Sequence, residues 1–137
     1  MTHRLSRRLS RIAPPLFFAL AVACGGPSKD EVDVENAGKM ATFIEAIAAA
    51  TKAGGTDCGK IADGVEAVFR EHKATLSSLD GWFAEADRDE ARKVRIAKLM
   101  VPRLAAVRPQ LESIVACGDD PRMKAVEARL KALTAGR

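Results

Sequence analysis

Beyond residue 28, apolar residues recur three and four positions apart along nearly the whole chain, and no stretch of strand length alternates with period two. Such spacing gathers side chains on one face of a helix, whereas a half-buried strand needs strict alternation. The chain is therefore expected to be all-α. Ser28-Lys29-Asp30-Glu31 has the form of a capping box, with a serine hydroxyl and a glutamate three residues on available to the free amides of a first turn. It opens a first helix with Met40, Phe43, Ile44, Ile47 and Thr51 on its stripe, and Gly54-Gly55 closes it. Thr56 or Asp57 caps a second helix, which carries Ile61, Val65, Val68, Phe69, His72, Leu76 and Leu79 on one face and is expected to end at Asp80-Gly81.

Asp87-Arg88-Asp89-Glu90 supplies the next cap, leading a third segment whose stripe includes Val94, Ala97, Met100, Val101, Leu104, Val107, Leu111, Ile114 and Val115, up to Gly118. Pro102 and Pro109 fall inside it. Each lacks the amide that a helix interior requires, at a cost of about 3 kcal/mol, so a kink or break is expected between residues 98 and 109. Asp120-Pro121 suits the start of a last helix, with Met123, Val126, Leu130 and Leu133 on its stripe. The expected architecture is an up-and-down four-helix bundle in which consecutive helices are antiparallel neighbours, the third being kinked or broken near its prolines.

The first 24 residues carry a different pattern. Arg4, Arg7, Arg8 and Arg11 precede an uncharged apolar run, Ile12 to Ala23, with small residues before Cys24. That run rises only about 18 Å as a helix, short of the roughly 30 Å needed to span a bilayer core, so it has the form of a removable export signal. Leu20-Ala21-Val22-Ala23-Cys24 resembles the lipobox of bacterial lipoproteins, with Ala21 at the place usually held by leucine. The resemblance implies cleavage before Cys24, diacylation of its sulfur and anchoring in the bacterial cell envelope. Gly25 after the cysteine implies the outer membrane rather than the inner one, by analogy with enterobacterial sorting. Ala21-Val22-Ala23 is also an Ala-x-Ala site for ordinary signal peptidase, which would expose Cys24 unmodified. The division that follows is a signal peptide over 1–23, a lipidated tether over 24–29 and a helical domain over 30–137. As a whole the chain loosely resembles the small alanine- and arginine-rich helical lipoproteins of myxobacterial-type genomes, a resemblance that implies no catalytic residues.

Lipidation of Cys24 leaves Cys58 and Cys117 as a pair, and an oxidising envelope makes a disulfide the expected state. Antiparallel order of the second and third helices brings both to one end of the bundle. Metal binding by the two thiols with His72 is the alternative, although the wide spacing matches no zinc signature.

The net charge of +4 belongs wholly to the leader. Of 22 Lys plus Arg, four lie before position 24, and the remainder balances the 18 Asp plus Glu. A nucleic-acid partner is not expected, because 4% aromatic residues and no Tyr leave few rings for stacking on bases. Phosphate-loop, nucleophile-elbow and paired-histidine motifs are absent, and Ser77, Ser78 and Ser113 have no local signature that would recruit His72 to a triad. The expected function is a non-enzymatic envelope lipoprotein, without a cofactor, that contacts the membrane through its lipid and an envelope protein through its bundle. The competing class is a ligand-binding or electron-transfer bundle, with non-covalent haem held by His72 and one of Met40, Met100 or Met123. The mixed-sign run Glu85 to Arg95 is expected to be a solvated face or a salt-dependent contact, and Trp82-Phe83 to cap the core or project as a contact anchor.

Overall fold

Three helices of this protein, those after Ser28, Asp57 and Asp89, begin where a short polar side chain accepts from an otherwise unpaired amide. A computed structural model of the chain describes residues 25–134, apart from the side chains of 133 and 134, so Cys24 and the whole leader, like the side chain of Leu133, lie outside the described residues. The protein is all-α, in the order α1 (Lys29–Gly54), α2 (Cys58–Glu71), α3 (Lys73–Asp87), α4 (Glu90–Ala116) and α5 (Pro121–Thr134). The Ser28 hydroxyl accepts from the Glu31 amide at 3.2 Å while the Glu31 carboxylate accepts from the Ser28 amide at 2.7 Å. Asp57 accepts from the Lys60 amide at 3.1 Å, and Asp89 from the Arg92 amide at 3.0 Å. Pro121 opens α5, where no amide is needed. Gly55 stops α1 at φ 63°, a value that disfavours any side chain.

Among the described residues five helices stand where the spacing suggests four. The expected second helix is divided at His72, whose φ of −91° and ψ of 9° leave the α region for a single residue. The apolar stripe nevertheless continues across this joint, with Val65, Val68, Phe69, Leu76 and Leu79 all buried. Asp80-Gly81 does not end the segment. Gly81 sits exposed inside α3, and the helix continues far enough to bury Trp82 and Ala86.

Helix α4 is continuous through Pro102 and Pro109, so that of the kink or break expected between residues 98 and 109 the break does not occur. The missing proline amides leave the carbonyls of Lys98 and Ala105 without their helical donors, and both residues are exposed, so water can satisfy them. Its inward face also differs from the expected stripe. Arg92 and Ile96 are its buried residues, whereas Val94, Val101 and Val115 face outward.

The centre of the fold is α1, packed chiefly against α4 and α2. Helix α4 runs parallel to α1: Asp33 meets Arg92 near their starts, and about three turns further along both helices Glu45 meets Arg103. The α2–α3 segment runs the other way, since Trp82 near its end reaches Asp33 and Cys58 at its start meets Cys117 beyond the end of α4. Helix α5 packs mainly on α2. The core combines Phe43, Ile47, Ile61, Val65, Phe69, Leu79, Met123 and Val126, drawn from α1, α2, α3 and α5.

Candidate functional site

Asp33 occupies a register position of α1 that also carries Ala37, Met40 and Ile47, so its carboxylate is drawn inward with them and is only 2% exposed. A buried carboxylate is costly unless donors surround it. Three do. Trp82 Nε1 donates to Oδ1 at 2.8 Å, Arg92 Nη2 to Oδ1 at 2.7 Å, and Arg92 Nε reaches both carboxylate oxygens at 2.9 Å. The planar guanidinium is matched to the carboxylate in two directions, the geometry in which such pairs are strongest. Arg92 is 6% exposed, and its Nη1 donates to the more open Glu85 at 3.2 Å.

This cluster joins the first helix, the end of the third and the start of the fourth. The Arg92 hydrogen bonds hold the Asp33 carboxyl below the usual carboxylate range, outweighing the opposing effect of burial, and Trp82 adds to them. Asp33 in turn raises Arg92 above the ordinary guanidinium range. Both groups therefore stay charged near neutral pH and are engaged with one another. As chemistry, the site fixes a pair of opposite charges in a dry place.

A second polar tie lies further along the same helix pair. Arg103 donates from Nε and Nη2 to the two oxygens of Glu45, each at 2.6 Å, and from Nη1 to the Gly38 carbonyl at 3.2 Å. Its Nη2 also donates to the Thr42 hydroxyl at 3.1 Å. The Arg103 hydrogen bonds lower the Glu45 carboxyl from its ordinary value. On the opposite side of the fold, Arg129 of α5 pairs with Glu66 of α2 and lies 4.9 Å from the Phe69 ring centroid, within cation–π range.

Cys58 and Cys117 are joined in a disulfide, with Cα atoms 5.4 Å apart. It ties the start of α2 to the C-cap of α4, and their sulfurs are not metal ligands in this arrangement. His72 is half-buried at the α2–α3 joint, its ring 5.7 Å from that of Phe43 in an edge-on contact. Met40 and Met123 are buried in the core and Met100 packs at its margin. Ser77 and Ser78 are exposed, the Ser78 hydroxyl donating to the Thr75 carbonyl at 2.6 Å within its own helix. Among the described residues, no group of three His, Cys, Asp or Glu is placed to hold a metal ion, and no helix is long and apolar enough to cross a membrane.

The run from Glu85 to Arg95 is not wholly a solvated face, because Arg92 turns inward from it. Trp82 is buried, with its indole nitrogen in the Asp33 cluster and its ring 4.9 Å from that of Phe83. Periodicity alone passes over the cluster, since stripe counting leaves out carboxylates and guanidinium groups. A signal was present: Asp33 and Arg92 each fall in helical register with buried residues of their own helices, and they carry opposite charge. The fold and this cluster define a small all-α protein in which a buried ionic tie and a disulfide fasten one long helix at its two ends. Comparison of the chain with protein-family models, curated proteins and solved structures finds no match in any of the three.

Proposed function

We propose that the protein is a non-enzymatic lipoprotein of the bacterial cell envelope, anchored through Cys24 and working by protein contact through the outside of its helices. The supporting observation is the sequence around Cys24, a cationic and apolar leader ending in small residues and a cysteine, followed by Gly25-Gly26-Pro27-Ser28. The exposed Gly25–Ser28 stretch suits a tether, and the first helix begins directly after it at its own capping box. The strongest polar groups are also engaged between helices: Asp33 and Arg92 in the interior and Arg103 with Glu45 nearer the surface bind α1 to α4. In this reading α2 and α3 act as one rod of a four-rod bundle, and the outer membrane is the favoured address.

Processing tests the proposal. The mature protein should partition into detergent, carry lipid mass on its first residue and accumulate as precursor when the type II signal peptidase is inhibited. Cys24→Ala should remove the lipid mass and leave the protein either soluble or uncleaved. An unmodified thiol at the N-terminus of the mature wild-type protein would refute anchoring. Stable attachment requires more than one acyl chain, so the measured mass should account for several. An absorption spectrum of the same preparation tests the contact role, since a stoichiometric haem band would replace it with electron transfer or ligand binding.

A further inference from the structure

The outward face of α4 has a pattern with a direction. Val94, Lys98, Val101, Ala105, Arg108, Glu112 and Val115 follow one another at alternating steps of four and three, and all are exposed. They form a single stripe on the side opposite Arg92, Ile96 and Arg103. Val101 is 58% exposed in the middle of α4, and Val115 is 82% exposed in its last turn. Among the described residues none of Lys98, Arg108 and Glu112 has an ion-pair partner.

We infer that this stripe is a homodimer surface on which α4 of a second copy lies antiparallel across a twofold axis at Ala105. Turned end for end, the stripe complements itself: Val94 opposes Val115, Lys98 opposes Glu112, Val101 opposes the aliphatic stem of Arg108, and Ala105 opposes its own copy. The small central residue lets the two backbones approach closely. A parallel pairing sets Lys98 against Lys98 and Glu112 against Glu112, so charge selects the antiparallel direction. The prolines fit the same arrangement. Pro102 and Pro109 free the carbonyls of Lys98 and Ala105, which flank Val101 on the stripe, and Arg108 of the second copy brings its donors to that stretch. A single helix pair about 32 Å long falls at the small end of specific interfaces, which sets the expectation of a reversible dimer. The inference gives the contact surface proposed above one occupant and does not depend on lipidation of Cys24.

Sedimentation of the full chain in mild detergent, over about 1 to 100 µM, tests it. The wild type should pass from monomer to dimer, and Lys98→Glu or Glu112→Lys alone should weaken association by about tenfold at low salt. The double variant Lys98→Glu/Glu112→Lys should restore it to within about threefold. Residues 98 and 112 are about 21 Å apart along one helix, so restoration cannot come from contact within a chain. In a Cys24→Ser background, Ala105→Cys should cross-link to itself on oxidation while Val115→Cys does not. A monomer at every concentration, a double variant as weak as either single one, or self-cross-linking of Val115→Cys in place of Ala105→Cys would overturn the inference. Monomers that bind vesicles of phosphatidylethanolamine and phosphatidylglycerol through this face would overturn it as well, assigning the stripe to lipid.

Discussion

Replacing Asp33 with Asn keeps the shape of the central cluster while removing its charge. Asp33 receives Trp82 Nε1 at 2.8 Å and the Arg92 guanidinium at 2.7 to 2.9 Å, and asparagine can reproduce only part of this. One carboxylate oxygen becomes an amide that is itself a donor, facing donors of Arg92. The guanidinium, 6% exposed, then retains Glu85 at 3.2 Å as its remaining carboxylate partner. Leaving one member of a buried pair uncompensated costs about 3 to 5 kcal/mol, a large share of the roughly 5 to 15 kcal/mol by which small domains are stable. For a domain of this size the loss corresponds to a melting temperature lower by about 12 to 20 °C. Thermal unfolding followed by circular dichroism, with urea titration for the free energies, measures it. The double variant Asp33→Leu/Arg92→Met removes both charges and should recover most of the loss, whereas Trp82→Phe, which leaves the ion pair in place, should cost about 1 to 2 kcal/mol. Equal losses in Asp33→Asn and the double variant would refute the reasoning, because the penalty would then lie in shape and not in a stranded charge. A loss below about 0.5 kcal/mol in Asp33→Asn would show that the pair is solvated.

Reduction of Cys58–Cys117 should lower the melting temperature while helicity at 25 °C is retained; the sequence separation of 59 corresponds to about 4 kcal/mol in the chain-entropy model, an upper value, and an unchanged melting curve would contradict it. Asp33, Glu45, Glu31 and Asp57 all have carboxyls lowered by hydrogen bonds, with Arg92, Arg103, Ser28 and the Lys60 amide as the respective main causes. Their stabilisation is complete above the unfolded values near pH 4 and is lost as the pH falls through the lower folded values, so the melting temperature should be level from pH 7 to about 5 and drop below about 4. A drop between pH 7 and 5 would contradict that assignment. Gly54→Ala should destabilise by about 1 to 3 kcal/mol, because the new Cβ would stand 2.5 Å from Ile61 Cγ1 and 2.8 Å from its backbone nitrogen. Gly59→Ala meets the movable end of Arg122 and, less closely at 3.2 Å, Asp57 Oδ1, and should cost less; the reverse order in urea unfolding would refute the close approach of Gly54 to Ile61.

Periodicity and capping are local properties, and they were legible from the amino acids alone. Ser28, Asp57 and Asp89 act within three residues of themselves, Gly55 stops α1 through its own backbone freedom, and three-and-four spacing excludes strands without reference to any neighbour. The pairing of Cys58 with Cys117 was accessible too, because it needed only a count of thiols and the direction of two helices. The choice of inward face on α4 was of another kind. Val94, Val101 and Val115 form as regular a stripe as Ile96 and Ile114, and nothing within that helix ranks one side above the other. The ranking comes from Asp33, which is distant in sequence and lies on the facing helix: burying it without Arg92 would strand a charge, so Arg92 turns inward and carries Ile96 with it. Pro102 and Pro109 stay within an unbroken helix for the same non-local reason, since a helix held at Arg92, Arg103 and Cys117 exposes the two freed carbonyls to solvent. Helical character and helix ends are thus decided by interactions inside one turn, whereas the face that is buried and the partner it is buried against are decided by charges and thiols that only the folded chain brings together.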